Sequence, residues 1–234
     1  MASTDLGYLL HSRPYRDTSV IGDFLLQHYG RVSLLYRGVR KAGKQGARGR
    51  LLQPFNPLAV SFDGRNELKT GRLLEPAGTA TMLTGFALYS GLYLNELLVR
   101  LLHREEPLPA LFQDYVAALG QLREGPLEAT LRRFEQRLLA ELGYQLILDQ
   151  DVDGRPIEPD LWYLYQADLG FSVLRESPRA VGAQRGCFRG AHLLAMEQQL
   201  YDDDAVAQAA KQLSRLALAP HLGDRPLRSR ELFK

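Results

Sequence analysis

The chain has 234 residues, 45% of them apolar, and a formal net charge of +2, so it can bury its own core without covalent staples and is too near neutral for overall charge to choose a partner. A single cysteine, Cys187, excludes an internal disulfide and gives an oxidising compartment no role. No basic-then-apolar leader opens the chain, and its most apolar window, Ala77–Leu94, is broken by Thr79, Thr81, Thr84 and Ser90, so neither secretion nor a membrane span is expected and the predicted location is the cytoplasm.

In chain order, five short strands are predicted at 5–14, 18–28, 31–39, 52–62 and 66–75, punctuated by Pro14, Tyr29-Gly30, a glycine-rich tract and Asp63-Gly64. Alternation is visible in Val32, Leu34, Tyr36 and in Leu58, Val60, Phe62. Five strands with one long polar connection between the third and fourth predict an OB-type barrel over residues 1–79, with an SH3-like barrel as the competing topology. From Thr81 the period becomes helical. A first helix is expected to run until Pro107 and Pro109 end it, a second from Pro109 to Leu122, and a third from Pro126 to Leu142, stopped by Gly143. Residues 143–190 lose long periodicity and are read as a loop-rich insert. Helices resume over 189–200 and 203–218, the latter capped by the Asp202–Asp204 acids and closed by Pro220. The predicted class is α+β: the barrel, then a helical domain over 80–234 carrying the insert.

Charge is unevenly placed. Residues 1–80 hold 12 basic and 6 acidic side chains. Within them, Arg31, Arg37, Arg40, Lys41, Lys44, Arg48 and Arg50 span a stretch with four glycines and no acid. Such a tract cannot pack as a core element, so its cations are expected to stay hydrated and available to a polyanion. It nearly matches a nucleotide-binding P-loop (Gly38, Gly43, Lys44), yet Gln45 stands where magnesium needs a hydroxyl, and Gly46 and Gly49 oppose the required helix. A second basic group, Arg175, Arg179, Arg185 and Arg189, is opposed only by Glu176, and a third comprises Arg225, Arg228 and Arg230. Together the three groups suit a positive path for a nucleic-acid strand. Tyr8, Tyr15, Phe24, Tyr29, Tyr36, Phe55 and Phe62 are the barrel aromatics, most expected in the core and about two exposed for stacking on bases.

Other chemistry finds little support. Asp149, Asp151, Asp153, Gly154 and Asp160 imitate half of a calcium loop, without its bidentate Glu, and are read as a hydrated acidic turn. Cys187 and His192 do not make a zinc site. His11, His28, His103, His192 and His221 are scattered outside any nucleophile or metal signature. No metal, cofactor or catalytic residue is expected, and the protein is not predicted to be an enzyme.

Five blocks, LHSRPYRDTSVI, GVRKAGKQGARGRLLQPFNPL, LYSGLYLNELLVRLL, LRRFEQRLLAELGY and HLGDRPLRSRELF, give the chain a resemblance to the bacterial RecO family, in the family's order and over nearly its whole length. The resemblance implies an OB domain, a helical domain, and a subdomain that binds zinc through four cysteines in many relatives. With only Cys187 present, this chain resembles the zinc-less proteobacterial branch, and Trp162, Tyr163, Tyr165 and Phe171 are the candidates for a small replacement core. The implied function is that of a recombination mediator: binding single- and double-stranded DNA, annealing strands, contacting the acidic tail of the single-strand-binding protein SSB, and with RecR helping to load RecA. If about five phosphates are neutralised, log affinity for single strands falls with log salt at a slope of about −3.5. For the SSB tail, which in this family is acidic and ends in an apolar residue and carboxylate, the expected receptor is the third helix, where Arg132, Arg133 and Arg137 flank Leu131, Phe134 and Leu138. From the residues alone, an RNA-binding OB protein and a non-catalytic scaffold stay open as alternatives.

Overall fold

A computed structural model of the chain describes residues 4–40, 48–175 and 186–233. It divides into two compact units, residues 1–125 with 226–234, and residues 126–225.

In the first unit, β1 (Asp5–Tyr15), β2 (Ser19–Leu26), β3 (Gly30–Tyr36), β4 (Pro57–Asp63) and β5 (Leu68–Pro76) close into a barrel in the order β1-β2-β3-β5-β4. The β3–β5 pairing is parallel and the others are antiparallel, which is the five-stranded OB-like topology expected. Val32, Leu34 and Tyr36 of β3 point inward beside Leu58 and Val60 of β4, packing with Leu9, Phe24, Leu26 and Leu74. The period-2 pattern therefore identifies the buried face directly. β4 starts at Pro57 rather than at 52, because Leu52 and Phe55 turn into the interior ahead of the strand.

Helices α1 (Gly85–Leu101) and α2 (Pro109–Glu124) lie on the outside of β1. Asn95 donates from Nδ2 to the Leu10 carbonyl at 3.1 Å, and the Tyr115 hydroxyl donates to Asn95 Oδ1 at 2.7 Å. Tyr8 meets the Tyr115 ring edge-on at 5.5 Å. The first helix stops at Leu101, well before Pro107, because residues 102–106 are needed elsewhere. They form a strap along β3: the Glu105 amide donates to the Arg31 carbonyl at 2.9 Å, and Arg31 Nε donates to the Leu102 carbonyl at 3.0 Å. Buried Lys69 of β5 holds the same strap through Glu105 at 2.9 Å. Gly30 is required here, with φ of 64° and a missing Cβ that would overlap the Glu106 carbonyl. A 3₁₀ helix, Arg228–Phe233, which the sequence pattern does not announce, returns to this unit. Its first amides are capped by Glu96 of α1, which accepts from Arg228 N at 2.9 Å and from Ser229 N at 2.8 Å.

The second unit holds α3 (Leu127–Glu141), a three-stranded antiparallel sheet of β6 (Trp162–Gln166), β7 (Gly170–Leu174) and β8 (Cys187–Arg189) in the order β7-β6-β8, and helices α4 (Gly190–Glu197) and α5 (Asp204–Leu222). The insert thus carries a sheet where the sequence suggested mainly loop, and its strands are too short to display a period. Tyr163, Phe171 and Phe188 form its buried side, against Leu193, Met196 and Leu213; Trp162 stays only half-buried. Asp203 caps α5, accepting from the amides of Ala205 and Val206. Pro220 does not end that helix but sits inside its last turn, where few carbonyls remain to lose a partner.

Candidate nucleic-acid interface

The basic tract is rooted on both sides by apolar anchors. After β3 the chain turns at Gly38 (φ 73°) and buries Val39; beyond the tract it buries Leu52 and Phe55. A short turn, Leu51 N to Arg48 O at 3.1 Å and Leu52 N to Gly49 O at 3.2 Å, braces the second root. Arg37 and Arg40 on one side and Arg48 and Arg50 on the other are exposed. Lys41 and Lys44 lie outside the described residues. Arg31 departs from the expectation: it is half-buried on the strap, and burial pulls its guanidinium below the ordinary value, Asp23 opposing and Arg104 adding to that shift. It is a structural arginine first.

Two cations that sequence reading passed over join this surface. The Arg40 amide donates to the Thr18 carbonyl at 3.0 Å, which brings the tract beside the β1–β2 hairpin and its exposed Arg13 and Arg16. Arg16 lies over the Tyr15 ring at 5.4 Å. The signal was present in the block HSRPYRD, two arginines three residues apart with no acid between them. Among the barrel aromatics, Tyr8, Phe24, Tyr36 and Phe55 are core; Tyr29 is exposed, Tyr15 and Phe62 half-buried, and Tyr29 meets Phe62 edge-on at 5.1 Å.

The remaining basic residues are divided between the units. Arg228, exposed, and Arg230, half-buried, belong to the barrel unit; Arg175, Arg189 and Arg225 are exposed and belong to the second. Arg189 is paired with Asp160 at 3.3 Å. Arg179 and Arg185 lie outside the described residues.

On α3 the residues are arranged differently from the surface receptor expected. Leu131, Phe134 and Leu138 are interior, and Arg132 is buried with Glu135 at 3.0 Å, one turn on. Arg132 Nε has no hydrogen-bond partner among the described residues. Arg133 is half-buried over the Tyr201 ring at 5.9 Å, and Arg137 is exposed. A helix that buries its apolar stripe cannot also offer it as a groove.

Asp151 spends its Oδ1 on the amides of Asp153 and Arg155, both at 2.9 Å, and Asp153 pairs with Arg155. The acidic stretch is therefore a self-satisfied turn. Among the described residues no three His, Cys, Asp or Glu side chains converge on a metal position, and no helix is long and apolar enough to cross a membrane.

The comparisons with known proteins agree with this geometry. Residues 1–79 match the model of Recombination protein O N terminal, and residues 82–231 that of Recombination protein O C terminal. A DNA repair protein RecO from Pseudomonas aeruginosa is 48% identical over 233 residues, covering 99% of this chain and 95% of its own. The RecO of Stutzerimonas stutzeri is 48% identical over 227 residues, covering 97% and 91%. That of Pseudomonas putida is 48% identical over 228 residues, covering 97% and 95%. The closed barrel, the helical region and these matches over both parts of the chain establish that it belongs to the RecO family, non-catalytic recombination mediators that bind single-stranded DNA.

Proposed function

We propose that this chain holds DNA on the barrel unit, chiefly through Arg37, Arg40, Arg48 and Arg50 with Lys41 and Lys44 between them, and that Arg13 and Arg16 extend the same contact. The observation that carries the reading is the rooting of the tract: Val39, Leu52 and Phe55 are buried while the four described arginines at its margins are exposed. Cations positioned this way neutralise phosphates and release counterions without reading bases. Annealing needs that and strand proximity, because lowering the mutual repulsion of two backbones requires no nucleophile.

Arg228, Arg175, Arg189 and Arg225 are secondary contacts in this reading. The protein partners expected are the acidic SSB tail and RecR, with RecA loading as the downstream result. On α3, Arg133 and Arg137 are the cations with solvent access for such a tail, and Arg132 is committed to Glu135.

The test is the quadruple substitution Arg37→Ala, Arg40→Ala, Arg48→Ala and Arg50→Ala, measured by fluorescence anisotropy on single-stranded DNA over a salt series. Removing four contacts lowers affinity roughly 10²–10³-fold at 0.1 M salt and flattens the log–log slope by about 3. Thermal stability stays nearly unchanged, since the replaced side chains are exposed. Unaltered affinity and slope would remove the tract from DNA binding.

A further inference from the structure

A groove of about 330 Å³ lies wholly within the second unit, whereas Arg37, Arg40, Arg48 and Arg50 belong to the barrel unit. Its floor includes Leu139 of α3 and Phe171 of β7, both buried. Its rim is apolar as well. Ile147 is 59% and Leu169 68% exposed, and Tyr144 and Val152 are about half exposed beside them. Isolated exposed apolar residues are ordinary on protein surfaces, but three aliphatics and a tyrosine converging on a single concavity mark an interaction site.

The polar lining selects the occupant. Among the described residues, no Lys or Arg lines the groove; its acids are Asp151, which is buried with Oδ1 already accepting from the amides of Asp153 and Arg155, and Asp168. Asp168 is exposed at the β6–β7 turn, held there with a φ of 64°. His221 packs on Tyr144 with ring centroids 3.9 Å apart and planes tilted by 34°, forming one aromatic wall. A phosphate backbone or an anionic membrane finds repulsion here, whereas a peptide pairing aliphatic side chains with Lys or Arg finds both an apolar floor and the exposed Asp168 carboxylate. One wall, residues 144–148, runs in no helix or strand, so a guest chain in extended form meets main chain as well as side chains.

We propose that this groove docks a short, extended, basic and apolar segment of a partner protein. It is a protein site distinct from the DNA-binding surface of the barrel unit, and it stands whether or not the tract is the DNA contact.

The test uses the full chain and a short fluorescein-labelled peptide alternating Leu or Val with Lys or Arg, followed by anisotropy. A second peptide replaces every Lys and Arg by Glu. Two variants probe the groove: Ile147→Ser with Leu169→Ser, and Asp168→Asn, all at exposed positions, with thermal melts confirming that each stays folded. The basic peptide binds wild type and the acidic one does not. The double serine variant binds the basic peptide roughly tenfold more weakly, because two aliphatic contacts are lost. Asp168→Asn weakens it roughly threefold and reduces its salt dependence. Affinity for single-stranded DNA is unchanged in both variants.

Four results would overturn the proposal: no binding of the basic peptide, equal binding of the acidic peptide, wild-type peptide affinity in both variants, or a parallel loss of DNA affinity. Sedimentation velocity adds a fifth, since self-association of wild type that the double serine variant abolishes would make a second copy the occupant.

Discussion

In the barrel unit, 18 Lys and Arg residues accompany 12 acids, whereas residues 126–225 hold 11 against 15. The manner of use differs as much as the number. The barrel leaves Arg37, Arg40, Arg48 and Arg50 in water at the margins of one loop, while the second unit buries Arg132 against Glu135, lays Arg133 on Tyr201 and pairs Arg189 with Asp160. An exposed arginine costs the fold almost nothing and is available to a polyanion; a buried one is part of the fold. The difference teaches that arginine count is a poor guide to a nucleic-acid surface, and that accessibility separates the two kinds.

The comparison is tested most severely by Glu135→Ala. It leaves the Arg132 guanidinium buried without its carboxylate, and the expected loss is about 3–5 kcal/mol. In a thermal melt that is a drop of roughly 12–40 °C for a unit of about 100 residues. Replacing both partners by Leu restores most of it, and a melt indifferent to Glu135→Ala would show that α3 does not depend on the pair.

The barrel unit has a neutral counterpart in Tyr115→Phe, which leaves Asn95 Oδ1 buried without the hydroxyl that donates to it. The cost expected is about 1–2 kcal/mol, read by urea unfolding. Smaller still is the effect of Arg175→Ala with Arg189→Ala on DNA. If the units divide their roles as described, affinity falls less than about threefold and the salt slope changes by less than about 1. A loss equal to that of the tract variant would erase the contrast between the units.

Acid acts on the barrel unit through Glu96. Burial alone would push the Glu96 carboxyl up, but hydrogen bonds from Ser229 and Arg228, with Arg100 nearby, outweigh it and hold the group below its ordinary value of 4.5. The contribution to docking of the 3₁₀ helix is therefore complete above about pH 4.5 and is lost as pH falls through the lowered value. Hydrogen exchange at the Arg228 and Ser229 amides should be slow at pH 7 and lose protection in that acid range. Glu96→Ala removes the pH dependence and leaves those amides unprotected throughout.

The barrel was legible because β3 and β4 alternate so regularly that Val32, Leu34, Leu58 and Val60 name their own buried face. The strap at 102–106 was not, since the pairing of Arg31 with Arg104 joins residues far apart in sequence and leaves no local pattern. Nor was the small sheet, whose strands of five, five and three residues are shorter than any period can establish. At the candidate interface, the tract was visible from its lack of acids. Arg132 is buried, although arginine on a helix usually reaches solvent. The contrary signal was Glu135, four residues after Leu131 and three before Leu138 on the apolar side of α3, at i,i+3 spacing from Arg132.

The return of residues 226–233 to α1 makes the second unit an insertion, with both of its ends stitched into the first. Ribosomal synthesis therefore finishes the inserted unit before the clip that Glu96 receives has been made, and the barrel unit waits, incomplete, for a segment translated after everything it docks against. Because the entropy of closing so long a loop grows only with the logarithm of its length, the insertion can be lengthened or shortened over evolution at little thermodynamic cost, while a frameshift or nick just behind Gly223 strikes the unit that finished first in sequence but last in assembly.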